Sequence, residues 1–410
     1  MTADALVRAA LLARGSVALR AAPPVERVLR ARSPRALARA ALVPAGRNLG
    51  MAIAMLPAGQ RHEATAAFLA CRVLDAFEDL GPDPVAGIHA AARYLTGSSP
   101  AMPAAGTLRA SRPSEHLDRA LAVRIDLVRA LVTSLDADRG RRVERLVADV
   151  AAAMAAHAGR QERRAYGGDV LGRAVAYAGE VVTDEAGDDG PADRGVHRAV
   201  GYLLQLANDL RDDTRAPYGA DSAEELRYVV FLSSLTGSLA ALDLVRSLHR
   251  RAASCGGRVA VAAMMLHTTA YFCRAAGVRP PVPRRARLLR AVLAARGERP
   301  FERLCRRVEV AADACLNRTV TAAGAGDDLV LFTAPRGTTG RGVAALAVDA
   351  ATHLMAPLPA GPLRGPLPPA QVRAMMLADH VVLDAVEPTD DGDTGDLREL
   401  ADLLQRAAAS

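Results

Sequence analysis

Apolar residues recur at three- and four-residue spacing along most of this chain, and alternating runs of β-branched residues are scarce. That periodicity gives each of a succession of helices one apolar face and leaves little that would pair into a sheet. An all-α protein is expected. Ala, Leu and Arg, all good helix formers, dominate together with Val, and Trp is absent. With 410 residues, 50 % of them hydrophobic, the chain can bury a large core, as one big domain or a domain with an appendage.

Breaks in the pattern divide the chain. Residues 1–43 read as an Ala/Arg-rich helical segment broken at Pro23-Pro24. A long helix is predicted after Pro57 and through Asp79, stopped by the Gly-Pro-Asp-Pro of residues 81–84. Residues 96–114 read as a loop. Helical periodicity resumes from Glu115 to Ala158 and again from Tyr166 to Val182. An acidic turn follows at 183–195, then a helix carrying 201–213, and a Pro-rich break at 279–285. Residues 321–410 differ in texture, with Gly/Pro-rich pieces, two or three helices and an acidic loop. The expected division is 1–43, 44–320 and 321–410, and no internal repeat of fixed period is present.

The formal charge is +7, yet the chain has no lysine: all 52 basic residues are arginine. P-loop nucleotide hydrolysis and lysine Schiff-base chemistry are thereby excluded. The arginines are scattered and form no basic–aromatic repeat, so no nucleic-acid partner is expected. The five cysteines are odd in number and widely spaced, as in a reduced cytoplasmic protein with buried thiols. No signal peptide is expected at MTADALVRAALLARGS. The longest apolar stretch, 259–272, contains His267 and is too short to span a bilayer. Peripheral association with a membrane stays compatible with the sequence, and nothing in it fixes an oligomeric state.

Two acidic stripes interrupt otherwise apolar helices. In ACRVLDAFEDL, Arg72, Asp75 and Asp79 lie three and four residues apart and so share a face. About 130 residues later Gln205, Asn208 and Asp212 repeat that spacing, flanked by Asp209 and Asp213. Taken alone, a stripe of this kind is usually a solvated helix face. If the two helices pack together, several carboxylates are held near the interior, where they need compensation. A divalent cation supplies it: Mg²⁺ takes carboxylate and amide oxygens and shares its shell with substrate phosphates. Other candidates fail, since the HEATA of residues 62–66 lacks the second histidine of a zinc helix and no Gly-rich loop follows a strand.

These stretches resemble the squalene/phytoene synthases. CRVLDAFED is similar to that family's first aspartate-rich motif, LLQLANDLRDD to its second, and AGRNLGMAIAMLPAGQRHEATAAFLACR to its opening helix pair. The resemblance covers roughly residues 45–275. It implies an isoprenoid synthase bundle around a central cavity, with 44–320 as catalytic domain. It implies Asp75, Asp79, Asn208 and Asp212 as Mg²⁺ ligands, with Asp209 and Asp213 as further candidates. Arg72, Gln205 and Arg211 match motif positions, and Arg47 and Asn48 fall in the opening segment. Tyr177 and Tyr271 are further substrate-binding candidates.

The departures are informative. The last aspartate of the second motif would fall at Ala216, and Asp209 or Asp213 could replace it. The family's active-site tyrosine falls at Arg173, and its opening serines are Gly46 and Asn48. The parts that ionise an allylic prenyl diphosphate survive, while those that manage a second prenyl diphosphate are altered. The expected activity is therefore Mg²⁺-dependent prenyl transfer to a non-standard, aromatic small-molecule acceptor. Alternatives are head-to-head condensation of two prenyl diphosphates, or a non-catalytic paralogue serving as a partner subunit.

Overall fold

The computed structural model describes residues 24–159, 163–185, 191–212, 241–242, 244–275 and 277–322. Among these, every regular element is helical, so the all-α expectation holds. Thirteen helices are named here. They are α1 (Val25–Leu29), α2 (Pro34–Met55), α3 (Ala58–Leu80), α4 (Pro84–Leu95), α5 (Pro113–Val123), α6 (Ile125–Thr133) and α7 (Ala137–His157). There follow α8 (Arg163–Tyr166), α9 (Gly172–Thr183), α10 (Pro191–Asp212), α11 (Cys255–Ala275), α12 (Arg287–Ala294) and α13 (Glu298–Ala322). Of the segment expected as a C-terminal extension, all but residues 321–322 lie outside the described residues.

Local chemistry sets the helix ends. Ser33, Asp83 and Asp136 each accept a hydrogen bond from the backbone N–H three residues on, at 3.2, 3.0 and 3.0 Å, capping α2, α4 and α7. Pro34 and Pro84 occupy the first turns of α2 and α4, where a missing N–H costs nothing. The expected helix after Pro57 is α3, and Gly81 and Pro82 stop it as predicted. The stretch expected as helical from Glu115 to Ala158 is three helices. The first break is at Arg124, whose guanidinium turns back to donate to the carbonyls of Leu29, at 2.9 Å, and Ala31. The boundary expected at 43/44 falls inside α2. Pro44 lacks the N–H its helix would use, and Arg47 takes φ 45°, ψ −113°, so α2 is two helical pieces joined at a kink.

Helix α3 is the axis of the main core. It packs on α2, α4, α5, α6 and α7 and buries Leu69, Val73, Leu74 and Phe77 among Leu37, Ile88, Leu121, Ile125 and Met154. Each such side chain contributes about 1.5–3 kcal/mol through burial. A second cluster joins the end of α2 to α11, α12 and α13, and a third joins α10, α11 and α13 around Leu206, Phe272 and Ala311. The two helices that carry acidic stripes, α3 and α10, thus sit in different core clusters.

Candidate functional site

The first stripe forms as its spacing predicts. Arg72 donates through Nη1 to Asp75 Oδ2 at 2.6 Å, one helical turn away. Its other side meets α5: Nε donates to Asp118 Oδ1 at 3.2 Å, and Nη2 pairs with Asp118 Oδ2. The guanidinium is therefore clamped between two carboxylates on two helices, and both neighbours hold its charge firmly in place. Burial lifts the Asp75 carboxyl to about 6; Arg72 opposes the rise, and Asp79 and Asp118 add to it. The Cys71 thiol beside it is pushed up to about 12, by burial and then by Asp75.

Tyr166 closes this group from α8. Its hydroxyl donates to Glu78 Oε2 at 2.8 Å. Its own ionisation is held far above the usual range, first by burial, then by Glu78 and Asp75. Arg72, Asp75, Glu78, Asp79, Asp118 and Tyr166 form one acidic constellation. Sequence reasoning missed Asp118 and Tyr166. The signal for Asp118 was an acid on the apolar face of α5, beside Leu117 and Leu121; for Tyr166 there was none, because its placement depends on a π-helical turn at Gly167–Leu171.

Tyr177 is held elsewhere. Its hydroxyl donates at 3.3 Å to Glu63, which is fully buried and takes a two-pronged contact from Arg142, at 2.8 Å through each nitrogen, and a third from Arg139 at 3.2 Å. This is a structural ion-pair network tying α3 to α7 and α9, with Tyr177 as its fourth member.

The second stripe is oriented differently from the expectation. On α10 the buried polar pair is Gln205 and Asp209, the amide Nε2 donating to Asp209 Oδ1 at 2.9 Å. Asn208 is exposed. The reason is packing: Tyr202, Leu203, Leu206 and Ala207 turn inward and carry positions 205 and 209 with them. Arg211 and Asp212 lie in the last turn of α10, and Asp213 falls outside the described residues.

A basic group occupies α11 and its neighbour α12. Tyr271 accepts a hydrogen bond from Asn48 Nδ2 at 3.4 Å, and the Arg274 guanidinium lies 4.8 Å from the centre of its ring. Arg287, only 6 % exposed, has as hydrogen-bond partner the Val282 carbonyl at 3.4 Å. Burial lowers its hold on a proton, and Arg274 and Arg284 lower it further. Burial and the same three arginines press His267 down to about 4. Among the described residues Arg274, Arg284 and Arg287 make no ion pair. A buried cation without a counter-charge is costly, so this group favours an anion. Arg284 was legible only as part of a Pro-rich break, and Arg287 lies two residues beyond it. Arg47, at the kink of α2, is exposed.

Arg173 is also exposed, its guanidinium donating to the Asp169 carbonyl. It lines a pocket of about 470 Å³ between α7, α9 and α10, together with Arg142, Arg145, Arg194 and Arg198. None of Asp75, Glu78, Asp79, Gln205 or Asp209 borders that pocket. The tyrosine nearest the first stripe is Tyr166, two helical turns earlier in the chain.

The donor chemistry of the first stripe fits a hard divalent ion. Mg²⁺ is commonly held by one or two carboxylates and completed by substrate phosphates and water. Asp75 and Asp79 supply two on one face, and Asp75 is already crowded by carboxylates. Among the described residues no group of three or more His, Cys, Asp or Glu side chains is gathered as a cage of its own.

A scan against protein-family models finds no match, and a search of curated proteins finds none either. Among solved structures, the chain is similar to TcSQS, a squalene synthase, in complex with the ligand E5700, at 14 % identity and a TM-score of 0.37 over 90 % of this chain and 98 % of that one. It is similar to the complex of TcSQS with BPH1237 at 14 % identity and a TM-score of 0.36, over 82 % and 94 %. A likeness of that size carries no argument about the site, which stands on its own geometry.

Proposed function

We propose that this protein is a Mg²⁺-dependent prenyltransferase that ionises an allylic prenyl diphosphate and transfers the prenyl group to an aromatic small molecule. The observation that carries this reading is a separation of charge: carboxylates gathered around Arg72 and Tyr166, and three arginines on α11, α12 and the turn between them that have no acid of their own among the described residues. An allylic diphosphate ionises when the negative charge growing on its leaving group is stabilised. Lewis-acid stabilisation is the chemistry that a bound divalent ion supplies at such carboxylates.

The protein's own groups do the rest. Asp118 locks Arg72, and Arg72 orients Asp75. The Tyr166 hydroxyl fixes the Glu78 carboxylate beside them. Arg274, Arg284 and Arg287 neutralise the departing diphosphate, and Tyr271 offers it a hydroxyl. Gln205 and Asp209 present a second polar pair from α10, the helix that packs on α11. The aromatic acceptor rests on the sequence departures at Gly46, Asn48 and Ala216, which alter the parts that would manage a second prenyl diphosphate. Among the described residues no helix is long and apolar enough to cross a membrane. The reading places the protein in the cytoplasm, with no nucleic-acid partner.

The test is product analysis. Purified protein is incubated with Mg²⁺ and allylic prenyl diphosphates of several lengths, with and without a panel of aromatic acceptors. A prenylated aromatic product is expected. Condensed prenyl dimers in place of it would overturn the acceptor, and unconsumed substrate at every length would overturn the enzyme.

A further inference from the structure

Cys273 on α11 and Cys315 on α13 stand 42 residues apart in the chain, yet the Cys315 thiol donates to the Cys273 sulfur at 3.6 Å. Both are buried, 0 % and 2 % exposed, in the cluster they share with Tyr202, Leu203 and Leu206 of α10. The other cysteines are differently placed. Cys71 lies beside the acids of α3, Cys305 faces the Met265 sulfur, and Cys255 is exposed at the start of α11. Two sulfurs from separate helices already in van der Waals contact need to close by only about 1.5 Å to reach bonding distance. The groups around them support reaction at one sulfur in particular. The Cys315 hydrogen bond and the nearby Arg287 both favour the thiolate of Cys273, whereas burial pushes the Cys305 and Cys71 thiols up to about 12.

We propose that Cys273 and Cys315 are a reversible dithiol–disulfide pair that ties α11 to α13, with a small hydroperoxide as oxidant. The Cys273 thiolate attacks one peroxide oxygen. The O–O bond breaks, the other oxygen leaves and takes up a proton, and Cys273 becomes a sulfenic acid. The Cys315 sulfur then attacks the Cys273 sulfur. An S–S bond forms, the S–O bond breaks, and the hydroxyl leaves as water with the Cys315 proton. The two sulfurs give up two electrons in all, and the peroxide oxygens accept them. A dithiol reductant reverses the bond by exchange. The cross-link fixes the helix that carries Tyr271 and Arg274. It is a property of the thiols and does not depend on the prenyl-transfer reading.

The experiment uses the full chain with Cys255→Ser, which removes the exposed thiol. The protein is treated with hydrogen peroxide, its remaining thiols are alkylated in denaturant, and intact mass and non-reduced peptides are read. The expected result is an intact mass lower by two hydrogens before alkylation, uptake of two alkyl groups fewer than the reduced protein takes, a Cys273–Cys315 cross-linked peptide that dithiothreitol removes, and a melting temperature higher by on the order of 5 °C, as for closure of a loop of this length. Adding Cys315→Ala should leave Cys273 oxidised without a cross-link. Full alkylation of both cysteines after peroxide treatment, or a cross-link from either to Cys71 or Cys305, would overturn the proposal. The peptide map of the Cys255→Ser protein decides it whether or not the alanine variant folds.

Discussion

At Asp75 three carboxylates and one guanidinium compete for a small, partly buried volume, and the arrangement separates positioning from chemistry. Asp118 holds Arg72 from across a helix interface, so Asp118→Asn leaves that guanidinium with Asp75 as its hydrogen-bonded ion pair and should lower the unfolding free energy by about 2–4 kcal/mol. Asp75→Asn removes a charge that burial, Asp79 and Asp118 already oppose, and should change stability by less than about 1 kcal/mol. Urea unfolding of the two variants compares them directly, and equal losses would contradict the assignment of roles. A second residue-scale effect concerns pH. His249 is 3 % exposed and stacks on Phe301 with ring centres 3.7 Å apart; burial, aided by Arg258, holds its pKa down at about 4. The unfolded chain takes up that proton near pH 6.5. Between pH 6.5 and 4 the unfolded state therefore binds more protons, and stability present above 6.5 is lost on acidification, by up to about 3 kcal/mol from this group. His249→Phe should show a shallower fall in unfolding free energy across that window than the parent, and parallel curves would refute it.

Among the elements, α10 depends on a contact that tolerates no side chain. A Cβ on Gly201 would lie 2.3 Å from the Gly172 nitrogen and 2.6 Å from the Gly167 carbonyl oxygen, where α10 crosses the π-helical turn. Gly201→Ala should therefore cost about 1–3 kcal/mol in chemical unfolding through forced separation of backbones, and unchanged stability would show that the crossing is loose. The same element shows what the sequence could and could not convey. Helix α3 was legible to within a residue, because its start after Pro57, its stop at Gly81 and its apolar stripe are all local. The first acidic face was legible for the same reason, since Arg72 and Asp75 meet by helical spacing alone. The face of α10 was not: the choice between Asn208 and Asp209 as the inward residue depends on how Tyr202 and Leu206 pack against α11 and α13. Asp118, Tyr166 and the arginines of α11 and α12 escaped because each acquires its role only from a residue distant in the chain. Arg173, matched to the family's active-site tyrosine, is exposed because the π-helical turn and α9 present it to the pocket between α7 and α10.

Across the whole molecule the net charge of +7 is unevenly matched. The arginines of α7 find carboxylates, whereas Arg274, Arg284 and Arg287 find none among the described residues. An anion that binds only the folded chain stabilises it by mass action. Inorganic diphosphate should therefore raise the melting temperature in a concentration-dependent way, and Arg274→Ala with Arg284→Ala, both at exposed positions, should remove most of that rise while leaving the protein folded. An equal rise in the double variant would place the anion elsewhere. The central claim joins this basic group to the acids of α3 in one reaction, and release of diphosphate from an allylic prenyl diphosphate reads it most directly. The account predicts release by the parent protein that requires Mg²⁺ and falls at least about a hundredfold in Asp75→Asn, the loss expected for transition-state charge stabilisation worth several kcal/mol. Release at the parent rate by Asp75→Asn, or no release by the parent at any prenyl length with Mg²⁺ present, would contradict it.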